Sequence, residues 1–204
     1  MVMIEKRRTA SILLFAIFLK QIVCSGFGKC PKFAYMDNFN LSRFAGRWYE
    51  IERSFYLAQV VSSCVSIDLT ENTKGQLEVD VKARSRWSGT LTVSEGLASP
   101  TKRDPSKLAY KVVTKLPRML GQYLPGAGAY QVIDTDYDSY AVLWSCTNYG
   151  LAHTDLIWIW GRQRELSADR RIQVYKSLDD VRLDSERLIL PRNGNCSETW
   201  GDGD

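Results

Sequence analysis

Histidine is almost missing: the 204 residues contain one, His153. A zinc site or a Ser-His-Asp triad rests on imidazole and has little material here. His153 therefore reads as a solvated or core-edge side chain, and neither a metal nor a cofactor is expected. Long apolar runs are missing too. The N-terminal run Ser11–Leu19 is closed by Lys20, short of the roughly 20 residues that span a bilayer. No stretch of clustered positive charge offers a nucleic-acid footprint, and no internal repeat or low-complexity block occurs. Cysteine is sparse, at five.

What is present explains these gaps. Lys6, Arg7 and Arg8 precede the apolar run, and small residues in Cys24-Ser25-Gly26-Phe27-Gly28 follow it. That order predicts a secretory signal peptide over about residues 1–28, a signal anchor being the alternative. The remaining 29–204 then form one domain, in a chain that is 45% hydrophobic. Loss of Lys6, Arg7, Arg8, Lys20 and Glu5 lowers the formal net charge from +4 to +1. Cys24 leaves as well. Cys30, Cys64, Cys146 and Cys196 remain, an even number that predicts two disulfides in an exported chain, with three pairings open. Their wide separation does not suit a metal knuckle.

Past an irregular stretch up to Asn40, short runs of strand composition recur every 8–12 residues or so, the pattern of an antiparallel sandwich or barrel. They are Arg47–Arg53, Cys64–Leu69, the alternating Leu77, Val79 and Val81, Leu91 with Val93, Leu108–Thr114, Tyr130–Asp134, Tyr140–Cys146 and Asp155–Trp160. Asn72-Thr73-Lys74-Gly75 and Ser88-Gly89 read as turns, and Pro100–Ser106 as a polar loop. One segment breaks the alternation. Ser167-Ala168-Asp169 resembles an N-cap with an acidic first turn, and Ile172, Val174, Tyr175, Leu178 and Val181 follow at helical spacing. Arg187–Leu190 reads as a last short strand. About eight strands close into a barrel wide enough for one small ligand, but alternation alone does not separate barrel from sandwich.

Three blocks carry more information: Gly46-Arg47-Trp48-Tyr49-Glu50-Ile51-Glu52, Thr135-Asp136-Tyr137-Asp138-Ser139-Tyr140-Ala141, and Ile157-Trp158-Ile159-Trp160-Gly161-Arg162. In this order and spacing they resemble the signature regions of the lipocalins, across essentially the whole mature chain. With Ser145-Cys146 and His153-x-Asp155, the resemblance points toward the apolipoprotein D and insect Lazarillo-type members. It implies an all-β fold, an eight-stranded up-and-down barrel with one flanking helix. It also implies that Trp48 plugs the closed end beneath the Arg162 guanidinium, with Thr135, Asp136 and Tyr137 in the turn beside them. Gly46, Trp48, Thr135, Asp136, Tyr137 and Arg162 are thus expected to be structural. The implied disulfides are Cys30–Cys146 and Cys64–Cys196.

If Arg162 points inward, Trp160, Trp158 and Leu156 share its face, because strand side chains alternate. These three are the expected ligand wall, with plain core packing as the alternative for Trp158. Ile157 and Ile159 then face the helix. The same counting from Trp48 sends Glu50 and Glu52 inward, where unpaired carboxylates are costly. Either a bulge re-aims them or Glu50 pairs with an arginine at the base. The stretches 54–61 and 117–125 should be loops at the open end, and they are unusually apolar in Phe55, Tyr56, Leu57, Met119, Leu120 and Tyr123. They suit contact with a lipoprotein or membrane surface, or a lid over the cavity. Asn40-Leu41-Ser42 and Asn195-Cys196-Ser197 are glycosylation sequons, with Asn40 and Asn195 the candidate acceptors.

The function that follows is a secreted carrier of small hydrophobic molecules: fatty acids, sterols, retinoids, carotenoids or bile pigments. Protection against lipid oxidation is implied as well. Two rivals are a lipid isomerase using Cys64 as a free cavity thiolate, and an interaction module whose mouth loops bind a receptor or sister subunit.

Overall fold

The structure, a computed structural model, describes residues 26–34, 36, 38–55, 62–114, 127–191 and 196. The chain divides into two compact units, Met1–Pro31 with Cys146–Asp155 and Lys32–Ser145 with Leu156–Asp204. In the first, a two-residue strand β1 (Gly26–Phe27) pairs antiparallel with Ala152 and His153. Cys30 is bridged to Cys146 with Cα atoms 6.0 Å apart, and the Cys30 N–H donates to Asn148 Oδ1 at 2.7 Å.

The second unit holds a one-turn helix α1 (Leu41–Phe44) and then an antiparallel meander. Its strands are β2 (Gly46–Ser54), β3 (Ser62–Glu71), β4 (Leu77–Ser85), β5 (Leu91–Pro100), β6 (Lys107–Val112) and β7 (Gly128–Thr135). β8 (Tyr140–Asn148) and β9 (Ala152–Gly161) follow, their far ends belonging to the first unit. β2 to β9 neighbour one another in sequence order and β9 pairs back on β2, which closes an eight-stranded barrel. The helix α2 (Ala168–Asp180) comes next, then a 3-10 turn and β10 (Leu188–Ile189), which pairs with the end of β2.

The expected strands are all present with shifted ends. β5 runs on to Pro100, which pairs with Leu108 where a loop was expected to start. The elements the sequence did not announce, α1 and β1, span only four and two residues. Segments that short show no periodicity.

α2 begins as expected. The Ser167 side chain caps it by accepting from the Arg170 N–H, and Asp169 sits in its first turn. Its apolar face is narrower than the spacing predicted: Val174 and Leu178 are buried, but Ile172 is exposed and Val181 is only the C-cap. Polar clasps do the rest. The Ser177 hydroxyl donates to Asp134 on β7, and Arg171 and Tyr175 both reach Glu52 on β2.

Glu52 can face the helix because the β2 ladder against β9 slips between Glu50 and Glu52, as a bulge does. The expectation that both glutamates point inward is therefore corrected for Glu52. It lies opposite Ile159, on the side away from the lumen. Glu50 stays inside. A second slip, in β3 between Ser63 and Ser66, contains Cys64 at φ 54°. Cys64 is bridged to Cys196.

Candidate functional site

The closed end is built where the three sequence blocks meet. Gly46 has φ 97°, a left-handed conformation that suits glycine, and a Cβ there would lie 3.0 Å from Arg162 Nη1. Two residues on, Trp48 is fully buried, and its indole N–H donates to Phe44 O at 2.8 Å. The Arg162 guanidinium carbon lies 3.7 Å from the Trp48 ring centroid. Its nitrogens donate to four carbonyls: Tyr137 O at 2.8 Å, Arg47 O at 2.9 Å, Arg43 O at 2.9 Å and Ala45 O at 2.8 Å. Thr135 Oγ1 donates to Tyr140 O at 2.6 Å and accepts from the Tyr137 N–H at 2.9 Å.

In the same turn, Asp136 Oδ1 accepts from the N–H groups of Asp138, Ser139 and Tyr140. Burial pulls the Asp136 carboxyl upward, but the Ser139 hydroxyl and these N–H bonds outweigh it and hold the group below the usual carboxylate range. Arg43 stacks over Tyr137, whose hydroxyl accepts from the Asn40 N–H. These groups are consumed in holding one another, so the base is a floor.

Above that floor is a cavity of about 300 Å³, at the lower end of the range that takes a small organic ligand. Phe44 and Trp160, stacked at 6.3 Å, form its bottom together with Trp48 beneath them. Its sides come from the alternating residues of successive strands: Val65, Ile67 and Leu69 on β3, Leu77, Val79 and Val81 on β4, Leu108, Tyr110 and Val112 on β6. Three aromatics run around one side. Tyr110 meets Tyr130 edge-on at 6.1 Å, and Tyr130 lies 5.2 Å from Trp158. Tyr110 fits because residue 96 is glycine; its ring occupies the place a Cβ would take.

Of the three residues expected on this wall, Trp158 and Trp160 line the cavity, whereas Leu156 packs against the core without lining it. Tyr110 and Tyr130 were not anticipated, although the alternation of Leu108, Tyr110 and Val112 carried the signal. Among the mouth residues, Phe55 is described and is half exposed. Tyr56, Leu57, Met119, Leu120 and Tyr123 lie outside the described residues, as do Asn195 and residues 1–25. Asn40 is exposed, and its side-chain oxygen caps α1 by accepting from the Arg43 N–H at 2.9 Å.

The charged group in the lumen is Glu50, among the described residues. It lines the cavity and pairs with Arg53 Nη1 at 2.7 Å, both side chains almost fully buried. This arginine is three residues along the same strand. Burial pushes the Glu50 carboxyl up to about 7, against the pull of the Arg53 charge. A glutamate that holds its proton more tightly when folded than when unfolded makes stability fall as pH rises from about 4.5 through about 7. Asp68 and Asp136, held low, contribute in the opposite sense and only in acid: that stability is lost as pH falls below about 3.8. Urea unfolding of wild type and Glu50→Gln at about pH 5 and pH 8 checks this. The variant should gain on wild type at the higher pH by up to about 3 kcal/mol, at 1.36 kcal/mol per pKa unit. A stability difference that ignores pH would show that Glu50 does not titrate there.

Among the described residues no cluster of His, Cys, Asp or Glu fits a metal ion, and no helix is long and apolar enough to cross a membrane. Cys64, the candidate thiolate, is bonded to Cys196 and so has no proton to lose.

Comparison with known proteins agrees with this geometry. Residues 39–193 match the family model described as a lipocalin-like domain. Apolipoprotein D of Cavia porcellus is 33% identical over 174 residues, covering 84% of this chain and 86% of its own. Retinol-binding protein 4 of Gallus gallus is 25% identical over 197 residues, covering 92% and 97%. Among solved structures, insecticyanin from Manduca sexta superposes with a TM-score of 0.69 at 21% identity, covering 82% of this chain and 88% of that one. From the signature blocks locked at the base, the closed barrel and the family match, the chain belongs to the lipocalins.

Proposed function

We propose that this protein is a carrier that takes up a small hydrophobic molecule in its barrel. The observation that supports this most is the hollow lumen, walled by aliphatic side chains and by the series Tyr110, Tyr130 and Trp158 over a floor of Phe44 and Trp160. Such a surface binds by removing ligand area from water, at roughly 25 cal/mol per Å². No bond needs to be made or broken. One relative is named for binding retinol, which fits a cargo drawn from fatty acids, sterols, retinoids, carotenoids or bile pigments. A lipid enclosed in this way is shielded from dissolved oxidants, which gives the carrier a protective side. Two disulfides suit a secreted protein in an oxidising compartment. The half-exposed Phe55 at the end of β2 favours a mouth that touches a lipoprotein or membrane surface during loading.

Trp158 and Trp160 make the test optical. Titration with retinol, a sterol and a fatty acid should give saturable quenching of tryptophan fluorescence by at least one of them. Quenching by none would remove the carrier reading.

A further inference from the structure

We propose that Gly96 and Tyr110 together set the width of the lumen, and that this width selects rigid, ring-bearing ligands over single acyl chains. The inference rests on the carrier reading and deepens it by naming the shape of the cargo. Gly96 is buried inside β5, paired with Val79 on β4 and Val112 on β6, and both valines line the cavity. Its φ lies outside the left-handed region, so backbone conformation does not call for glycine. In a strand interior glycine costs roughly 0.5–1 kcal/mol relative to alanine. What this position uses is the missing side chain.

Tyr110 stands opposite Ala98 in the β5–β6 ladder and leans diagonally over Gly96. A Cβ at position 96 would fall 2.5 Å from Tyr110 Cζ and 2.5 Å from its Oη, where no side chain fits. Ser94, two residues back and also lining the cavity, hydrogen-bonds the phenol. A ring that would otherwise cross the lumen is laid along its wall instead. Tyr130 and Trp158 continue this aromatic surface toward β9. The room kept in this way matters to a rigid ring system, whose width is fixed. An acyl chain is one methylene thick and turns about every bond, so it can pass an obstruction. Ordering those bonds costs it affinity that a rigid ligand keeps.

Titration calorimetry with retinol, which carries a ring, and palmitate, a single chain, tests this. Wild type should bind retinol at least about tenfold tighter than palmitate. Gly96→Ala lifts the Tyr110 ring off the wall and into the lumen. Retinol affinity should then fall at least about tenfold, and palmitate affinity by less than about threefold. Gly96→Ala with Tyr110→Leu removes the ring that the new methyl strikes, and should bind retinol within about threefold of Tyr110→Leu alone. Palmitate bound by wild type as tightly as retinol overturns the proposal, whether or not Gly96→Ala folds. So does a Gly96→Ala variant that loses both ligands equally or loses neither. A double variant well below Tyr110→Leu also overturns it, because the methyl then acts on something other than the ring. If neither ligand binds wild type, the carrier reading falls and this proposal with it, a pattern distinct from equal binding.

Discussion

Arg162→Ala should cost about 3–5 kcal/mol, on the order of 10 °C in melting temperature for a chain of this size. Four carbonyls lose their donor together: Tyr137, Arg47, Arg43 and Ala45. Each buried acceptor left unmatched costs about 1–3 kcal/mol where water cannot replace the bond. The lost guanidinium over Trp48 adds roughly 0.5–2 kcal/mol. The sum is reduced because Arg162 is only partly buried, so water reaches some of these groups. Arg162→Lys keeps the charge but not the planar fork, and a single ammonium cannot serve four carbonyls while stacking on an indole. It should recover less than half of the loss. Melting curves of the two variants check this, and a loss below about 1 kcal/mol for Arg162→Ala would mean that the base holds without its clamp.

The second large effect has opposite signs in two measurements. Ala98 is buried on β5 and lines the cavity between Leu77 and Tyr110, its neighbours across the ladders to β4 and β6. Ala98→Phe should place a ring in the lumen and take a large share of about 300 Å³. Ligand affinity should fall at least about tenfold, which is 1.4 kcal/mol, while the melting temperature holds or rises as the ring fills empty space. In a solid core the same change would overpack and cost about 1–3 kcal/mol. A variant that loses stability and keeps its affinity would mean that the cavity is not where ligand sits.

Much of this could be read before any coordinates. The period-two alternation of Val65, Ile67 and Leu69, and of Leu77, Val79 and Val81, marks strands with one apolar face. That face proves to be the lumen wall. The three signature blocks supplied closure, because Arg162 meets Trp48 only if the last strand returns to the first.

What escaped has physical causes. A bulge changes parity without changing composition, so counting from Trp48 placed Glu50 correctly and Glu52 on the wrong side. The Glu50–Arg53 pair lies three residues apart on one strand, a spacing that puts side chains on opposite faces of a regular strand. The slip alone brings them together. Leu156 shares the parity of Trp158 but does not reach the cavity surface. Parity assigns a face and not a depth.

The claim beneath all of this is that the space enclosed by β2–β9 is the binding site. A crystal structure of the protein loaded with retinol or another quenching ligand tests it most directly. Expected is ligand density inside the barrel, in contact with Trp158 and Tyr130. Ligand density confined to the outside, with the lumen holding only water or closed by collapsed side chains, would contradict it.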